Sequence, residues 1–523
     1  MTMMKKFAYG SVASLALATS TQAADLPVKA KAVEYVKVCS LYGAGFYFIP
    51  GTDTCIRIGG AMRLDTTFNG ITFDVPFWQG STGGANAYNR GTFNTRERLN
   101  LFVDTRTATD YGVVRTYANL QFDFLQARDN IAGGFLAVDW AFIQFAGFTF
   151  GKAVSQFDPQ WALAKPFIAS GVNAGSNDAT GIPQLAYTAS FGNVSATIAL
   201  EDAQPYRSAG VVNATAGFLG PFGANLAASG LQNGFAGVAA NTFLGNAQGG
   251  DHVPDIVANV RLDQAWGTLH VGAAAHEVHG TYYTSTNSDS GHPSSTWGYA
   301  VTGAVELKNL PTGRGDSLKV EASYAKGAAK YVFGGTSDLV GGGRYAKLGA
   351  GAGTGGSMGI GYVLDGVYSG TNAANGSSID LSSAWEVGAF YEHYWTATWR
   401  TSLFGSYTAI NYGASANAAL LAAANGAGLL SSTATSPAIT TGSFNGTNTG
   451  NFNFAIAQVG SRTAWTPVQN LTLSAEFVYS RLIQNQNGTY TAGAGIPGVA
   501  AGTTYEMKNQ NLYNGSVQIL RSF

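Results

Sequence analysis

The sequence is poor in charge. Asp, Glu, Lys and Arg make up 11% of its 523 residues, where soluble domains carry about a quarter. It also lacks an excess of either sign: 29 Lys+Arg stand against 30 Asp+Glu, so no basic surface is expected and nucleic acid is not a partner it is built for. Apolar runs are short. None reaches the ~20 residues that a membrane-spanning helix needs, which argues against a helical membrane protein. Proline is limited to 14 residues and cysteine to two. There is no convincing Ser/His/acid set, so no enzymatic activity and no cofactor are expected. A membrane-embedded hydrolase, whose site can sit on the outside of a barrel, remains the rival from another class.

What the chain has in abundance is glycine, 69 residues, and aromatic residues, 12%, with a mean hydropathy near zero. That mixture suits strands that alternate between lipid and water, so that their hydropathy averages out. At the amino end, Lys5 and Lys6 precede the apolar stretch Phe7–Ala18 and the small-residue site Thr21-Gln22-Ala23. This is the pattern of a signal peptide over 1–23, removed on export. Cleavage there leaves 27 Lys+Arg against 30 Asp+Glu, a net charge of −3. The two cysteines, Cys39 and Cys55, then lie in an oxidising compartment close to each other in sequence, and a disulfide is expected. Closing so short a loop is worth ~3 kcal/mol in the chain-entropy account.

Alternation carries the fold. In 56–65, Ile56, Ile58, Met62 and Leu64 share one face, with Arg57, Arg63 and Asp65 on the other. In 114–124, Val114, Ala118, Leu120, Phe122 and Phe124 oppose Arg115, Tyr117, Asn119, Gln121 and Asp123. Sixteen such segments are predicted as strands: 56–68, 95–107, 111–125, 136–146, 147–154, 184–190, 193–203, 253–264, 266–279, 295–309, 316–330, 383–395, 397–412, 452–465, 470–484 and 509–523. Segments 136–154 and 452–465 are ambiguous in phase. Very short links alternate with long ones, notably 204–252, 331–382 and 413–451, as the two ends of an outer-membrane barrel require. The last strand places Val517, Ile519 and Phe523 on one face and ends on that aromatic. The expected fold is an all-β, transmembrane, antiparallel up-and-down barrel of sixteen strands, wide enough to enclose an aqueous channel.

The segment Val33-Glu34-Tyr35-Val36-Lys37-Val38-Cys39-Ser40-Leu41-Tyr42-Gly43-Ala44-Gly45-Phe46-Tyr47-Phe48, continuing through Cys55-Ile56-Arg57-Ile58-Gly59-Gly60, resembles the start of the alphaproteobacterial general-porin family. Ala141-Phe142-Ile143-Gln144-Phe145-Ala146-Gly147-Phe148-Thr149, with Gly151-Lys152 and Ser155-Gln156-Phe157-Asp158, is similar to that family's strand leading into its constriction loop. The resemblance implies a multi-pass protein of the cell outer membrane, embedded in its lipid and usually a homotrimer, that passes ions and small hydrophilic solutes by diffusion. It implies an N-terminal segment over 24–55, a barrel over 56–523, and a loop at about 158–183 folded into the pore. It also implies that Phe523 serves the barrel-insertion machinery as an assembly signal.

Pore-constriction candidates follow from the same reading. Asp158 and Asp178 lie on the loop, with Trp161, Pro166 and Phe167 to brace it. Arg57, Arg63, Arg96, Arg98 and Arg115 are predicted to point inward from three consecutive strands, gathered into one basic patch. Salt bridges to Asp65, Glu97, Asp104 and Asp123 are the bland alternative for these arginines. A substrate-selective channel of the same fold would need a ladder of aromatics along the lumen, and none can be placed from sequence; an adhesin-like role for the long loops would not exclude a pore. His276-Glu277-Val278-His279 has the wrong spacing for a metal site on a strand, because residues three apart point to opposite faces. The runs Gly341-Gly342-Gly343 and Gly351-Ala352-Gly353 lack the context of a phosphate loop and read as loop flexibility.

Overall fold

The computed structural model describes residues 37–68, 93–125, 135–168, 172, 174–176, 180–202, 209–215, 247–284, 287–334, 344–348, 354–427, 443–445, 449–491 and 502–523. The expected signal peptide over 1–23, Asp178 and the two glycine runs lie outside these residues.

Sixteen strands close into an antiparallel barrel. They are β1 (Thr54–Phe68), β2 (Phe93–Thr109), β3 (Gly112–Leu125), β4 (Phe135–Phe145), β5 (Phe148–Ala153), β6 (Ile182–Phe191), β7 (Val194–Glu201), β8 (Asp255–Gln264), β9 (Gly267–Val278), β10 (Thr296–Lys308), β11 (Ser317–Lys326), β12 (Ser383–Tyr394), β13 (Trp399–Asn411), β14 (Phe454–Val468), β15 (Leu471–Gln484) and β16 (Gln510–Ser522). Each of the sixteen expected segments corresponds to one strand. Every strand pairs with its neighbours in the chain, and β1 pairs with β16 from Ala61–Ser522 to Phe68–Gly515, so the ring is closed. Closure removes the row of unpaired N–H and C=O groups that a sheet edge would expose to lipid.

The outer face explains why these sequences stay in the membrane. Ile58, Met62 and Leu64 on β1, Leu136, Val138 and Ile143 on β4, Leu269 and Val271 on β9, and Val517 and Ile519 on β16 are all exposed. Rings flank this apolar band. Trp266, Trp395, Trp399 and Trp465 lie at the end with short turns, and Phe68, Phe93, Phe124, Trp297, Tyr299 and Trp385 lie toward the end with long loops. Such rings sit at the two water–lipid boundaries. The two-residue turn between β4 and β5 uses Ala146 (φ 50°) and Gly147 (φ 86°), two left-handed residues whose twist matches a strand pair.

The ends of the chain meet at the seam. Phe523 exchanges backbone hydrogen bonds with Gly60, 2.9 and 3.0 Å. Its ring lies so close over Gly60 that a Cβ there would come within 2.8 Å of it. Beside the lower end of β1, the disulfide Cys39–Cys55 ties down the N-terminal segment, and Tyr47–Phe48 pairs with Cys55 and Ile56.

The long loops carry secondary structure of their own. Residues 210–213, 364–368 and 380–381 form a three-stranded sheet, and 344–348, 354–362, 443–445, 489–491 and 504–507 a five-stranded one. Helix α1 (Ala414–Ala427) follows β13. Its run of alanines has the highest helix propensity available, a signal present in the sequence. These elements share one apolar cluster that includes Tyr331, Val363, Leu364, Leu420, Phe454 and Leu482.

Candidate pore constriction

Inward positions on β1–β3 form a ladder of side chains whose rungs are set by register. Nearest the short-turn end, Arg106 faces Arg115 across the β2–β3 pair; next come Arg57 and Tyr117, both opposite Asp104; higher up, Arg63 faces Arg98, which faces Asp123; highest, Asp65 faces Arg96. The arginines form two clusters, not one patch. Arg57 and Arg63 are six residues apart on one strand, about 20 Å at the usual rise per residue.

Each cluster is held by acids. Arg98 donates two hydrogen bonds to Asp123, at 2.6 and 2.7 Å. Asp65 accepts from Arg96 at 2.8 Å and from Gln518 at 2.8 Å, and pairs with Arg63 at 2.9 Å. Asp104 receives both Arg106 and Arg115, whose closest approach is 3.1 Å in each case. Glu97, the fourth expected acid, lies opposite Leu64 and Phe124 on the outward face and is exposed. Arg57 has no carboxylate partner among the described residues; its guanidinium lies 5.3 Å from the Phe46 ring and 5.2 Å from that of Phe102.

Arg106 also lines this wall and was missed in the sequence, although its even number puts it in phase with Arg98 and Asp104. Its guanidinium covers Phe46 at 4.9 Å, so the disulfide-stapled segment forms a floor beneath the lower cluster. A second omission is aromatic. Phe102 stacks on Tyr117 at 6.0 Å and Tyr117 on Phe142 at 5.4 Å, with Trp140 at 6.3 Å from Tyr117. Arg115 lies 5.1 Å over Tyr117. No lumen aromatic ladder could be placed from sequence; four inward rings lie beside and just above the lower arginine cluster.

The loop between β5 and β6 turns into the barrel and follows the opposite inner wall. At its start, Ser155 Oγ and the Gln156 N–H donate to Glu201 of β7 at 2.8 and 2.7 Å. The Phe157 carbonyl meets His270 Nε2 of β9 at 2.8 Å. Lys165 pairs with Glu321 of β11 at 2.6 Å, both buried. Trp161 and Phe167 pack on Phe390 of β12, and Phe167 also on Phe404 of β13. The farthest anchor is the Ile168 N–H, which donates to Glu476 of β15 at 2.6 Å. The return limb ends where the Gly181 N–H donates to the Asp139 carbonyl at 2.9 Å. The wall from β16 to β3 is left uncovered by the described part of the loop.

Two expected lining groups are withdrawn from lumen water. Asp158 is 5% exposed; its carboxylate accepts from the N–H of Ser176 at 2.9 Å and from the Ser176 hydroxyl at 2.5 Å, and so stitches the two limbs of the loop together. Burial pushes its carboxyl above the usual range, against the pull of the Ser176 donors and of Lys165 and Lys330. The Arg96 side chain is 1% exposed. Arg63, Arg98, Arg106 and Arg115 retain 10–29%. A second, smaller charged group sits on the far wall, where Glu392 receives Arg462 at 2.7 Å and Arg400 at 3.5 Å.

Known proteins resemble this chain in sequence and fold. A model of the porin subfamily matches residues 25–516. Porin Omp2b of Brucella suis biovar 1 (strain 1330) is 32% identical over 211 residues, and Porin Omp2a of Brucella melitensis biotype 1 is 34% identical over 221. Each match covers 38% of this chain and spans about half the length of its relative, 54% and 56%. Among solved structures, the outer membrane channel DcaP of Acinetobacter baumannii superposes with a TM-score of 0.53 at 13% identity, covering 91% of this chain and 99% of that one. That likeness concerns the fold.

Proposed function

Because the chain belongs to the porin subfamily, we propose that it forms a water-filled channel for passive diffusion of ions and small hydrophilic solutes. It is a multi-pass β-barrel protein of the outer membrane. The observation that supports the channel most is the uncovered, charged inner wall of β1–β3 facing a loop folded inward. Fixed charges on a constriction with low-dielectric walls focus the field and bias which ions pass. Six arginines on that wall, Arg57, Arg63, Arg96, Arg98, Arg106 and Arg115, face three aspartates, Asp65, Asp104 and Asp123. The loop's described acid is buried. The channel therefore favours small anions. Reconstitution in a planar bilayer tests this: stepwise conductance with a reversal potential on the anion side in a salt gradient is expected, and a chain that opens no pores refutes it.

A second reading, a substrate-selective channel of the same fold, draws on the stacked rings of Phe102, Tyr117, Trp140 and Phe142 beside Arg57 and Arg115. Ring faces flanked by guanidinium groups suit flat solutes that carry an anionic group. Saturation of solute flux would separate this reading from simple diffusion.

Three further assignments complete the proposal. The domain division is an N-terminal segment over 24–55 and a barrel over 56–523, with the constriction loop at about 158–183. The assembly is a homotrimer. An outward patch of small residues across three adjacent strands, Ala258, Ala273 and Gly303 with Val271 and Val301, is flat enough for a neighbouring barrel; native electrophoresis tests it. Phe523 acts in assembly, its ring and carbonyl docking on Gly60 to finish the seam.

A further inference from the structure

Three of the chain's six histidines, His252, His279 and His292, gather at one point on the outer rim. The His252 and His279 rings are 4.1 Å apart, and His292 is 6.2 Å beyond His279. Glu277 lies beside the first two. On β9 the inward positions are even-numbered, so His276 points into the barrel and meets Asp255 at 2.6 Å, while Glu277 and, one step past the strand's end, His279 share the outward side. The spacing within 276–279 indeed sends its two imidazoles apart. The partner that sequence could not supply is His252, brought alongside because residues 247–254 run antiparallel to the chain leaving β9: Gly249 N–H donates to the His279 carbonyl and Thr281 N–H to the Ala247 carbonyl, each at 2.8 Å.

We propose that His252, Glu277 and His279 form a binding site for a divalent transition cation of borderline softness, with Zn2+ as the reference ion. One ligand atom from each of the three lies within 4.8 Å of the other two. A tetrahedral zinc shell has its ligands ~2.1 Å from the metal and hence ~3.4 Å from one another, so the set needs a contraction of at most about 1.4 Å. His252 is exposed and supplies it. Two imidazoles and a carboxylate with an open fourth position suit zinc, copper or nickel better than calcium or magnesium, which prefer oxygen alone.

The surroundings are arranged as a metal-ligating histidine requires. His279 Nδ1 is engaged by the Ser295 hydroxyl at 2.7 Å, which leaves Nε2 for a metal and fixes the ring. The ring is also held by Gly249, where an added Cβ would come within 2.2 Å of it. Glu277 is mostly buried and accepts from the His252 N–H at 3.2 Å, with its other oxygen 3.8 Å from His252 Nδ1. The site sits beyond Trp297, which is opposite Glu277 at the long-loop end, so metal reaches it from the external medium without traversing the pore. Binding would clip the segment leading into β8 onto the end of β9.

Titration of the detergent-solubilised, folded protein with ZnCl2 by calorimetry, and with CoCl2 by the visible bands of tetrahedral cobalt, tests the site. One ion per chain is expected, with affinity falling at least tenfold in His279→Ala and in Glu277→Gln, and unchanged in His393→Ala, which removes a histidine at the opposite end. Ser295→Ala should weaken binding by ~10-fold, the usual effect of losing a group that orients a metal ligand. Glu277→Gln keeps the side-chain volume and the acceptor for His252, so it carries the test if His279→Ala lowers the yield of folded barrel. No binding by the wild type, or equal affinity in Glu277→Gln, overturns the site.

Discussion

The inner face of β1–β3 and that of β7–β13 are built on the same alternation, yet one is a wet wall and the other a foundation. On β1–β3 inward arginines pair across strands with aspartates; Arg63, Arg98, Arg106 and Arg115 keep part of their surface in lumen water, while Arg96 and the aspartates are buried beneath them. On β7–β13 the inward Glu201, His270, Glu321, Phe390 and Phe404 are covered by the constriction loop, and each meets a loop residue. Period-two patterning decides which side chains face the lumen; contacts with a distant segment decide whether they meet water there. Under the proposed function, a charge on the first wall would tune transport. A charge on the second holds the loop.

The comparison breaks most visibly at Lys165. Its ammonium group and the Glu321 carboxylate are 3% and 1% exposed, so Lys165→Met leaves a buried carboxylate without its cation, a loss of about 3–5 kcal/mol when the partner cannot rehydrate. The loop should loosen, with a lower thermal unfolding midpoint and a larger, noisier single-channel conductance. Unchanged conductance would mean that the loop is held elsewhere.

Deleting Phe523 comes next. Without the ring over Gly60 and the two backbone hydrogen bonds there, the β1–β16 seam loses its lower end. Burying a phenylalanine is worth roughly 1.5–3 kcal/mol when complete, and this one is about half exposed. The expected result is less folded protein in heat-modifiability gels, with normal conductance in the pores that do assemble. Normal yield would separate the seam from assembly.

How much was legible follows the same division. The sixteen strands could be read because alternation is local: Leu99, Leu101 and Val103 declare their face without any partner. The destination of the loop could not, because its anchors are far away in the chain; Ile168 meets Glu476 across 308 residues. Asp158 looked like a pore-lining acid because its sequence does not show that Ser176 takes its carboxylate. The aromatic stack was hidden for a related reason. Phe102, Tyr117 and Phe142 come from three strands and meet only through register. Arg106 and Phe102, both even-numbered on β2, are lining residues that parity alone would have given.

On the wet wall, replacing Arg98 and Arg115 together by Ser should change selectivity more than stability. Asp123 loses its bidentate partner and Asp104 keeps Arg106; the shortened side chains open both buried carboxylates to the lumen, so each broken pair costs less than the ~3–5 kcal/mol of a pair that cannot rehydrate. The wall loses two positive charges, one from each cluster. The cation-to-anion permeability ratio should rise a few-fold at 0.1 M salt and less at 1 M, since the Debye length falls from ~10 Å to ~3 Å. Because ~20 Å of strand separates the clusters, the two single replacements should add nearly independently at either salt concentration. A reversal potential unmoved at low salt would mean that neither arginine lines the conducting path.

The smallest effect expected is that of pH on the loop. Asp158 is buried, and burial raises its carboxyl above the usual value of about 4. A group whose folded-state pKa is raised takes up its proton more readily in the folded protein. Its contribution is therefore fully present below about pH 4 and is lost as pH rises through the elevated value. In Asp158→Asn the amide oxygen still accepts from the Ser176 N–H, and no charge has to be buried at any pH. Wild type and variant should thus differ most in their pH slope: the thermal midpoint of the wild type, taken relative to Asp158→Asn, should fall as pH is raised from 4 toward neutrality. A parallel pair of curves would place the Asp158 carboxyl in contact with water, and the loop would then belong to the wet side of the comparison at that point.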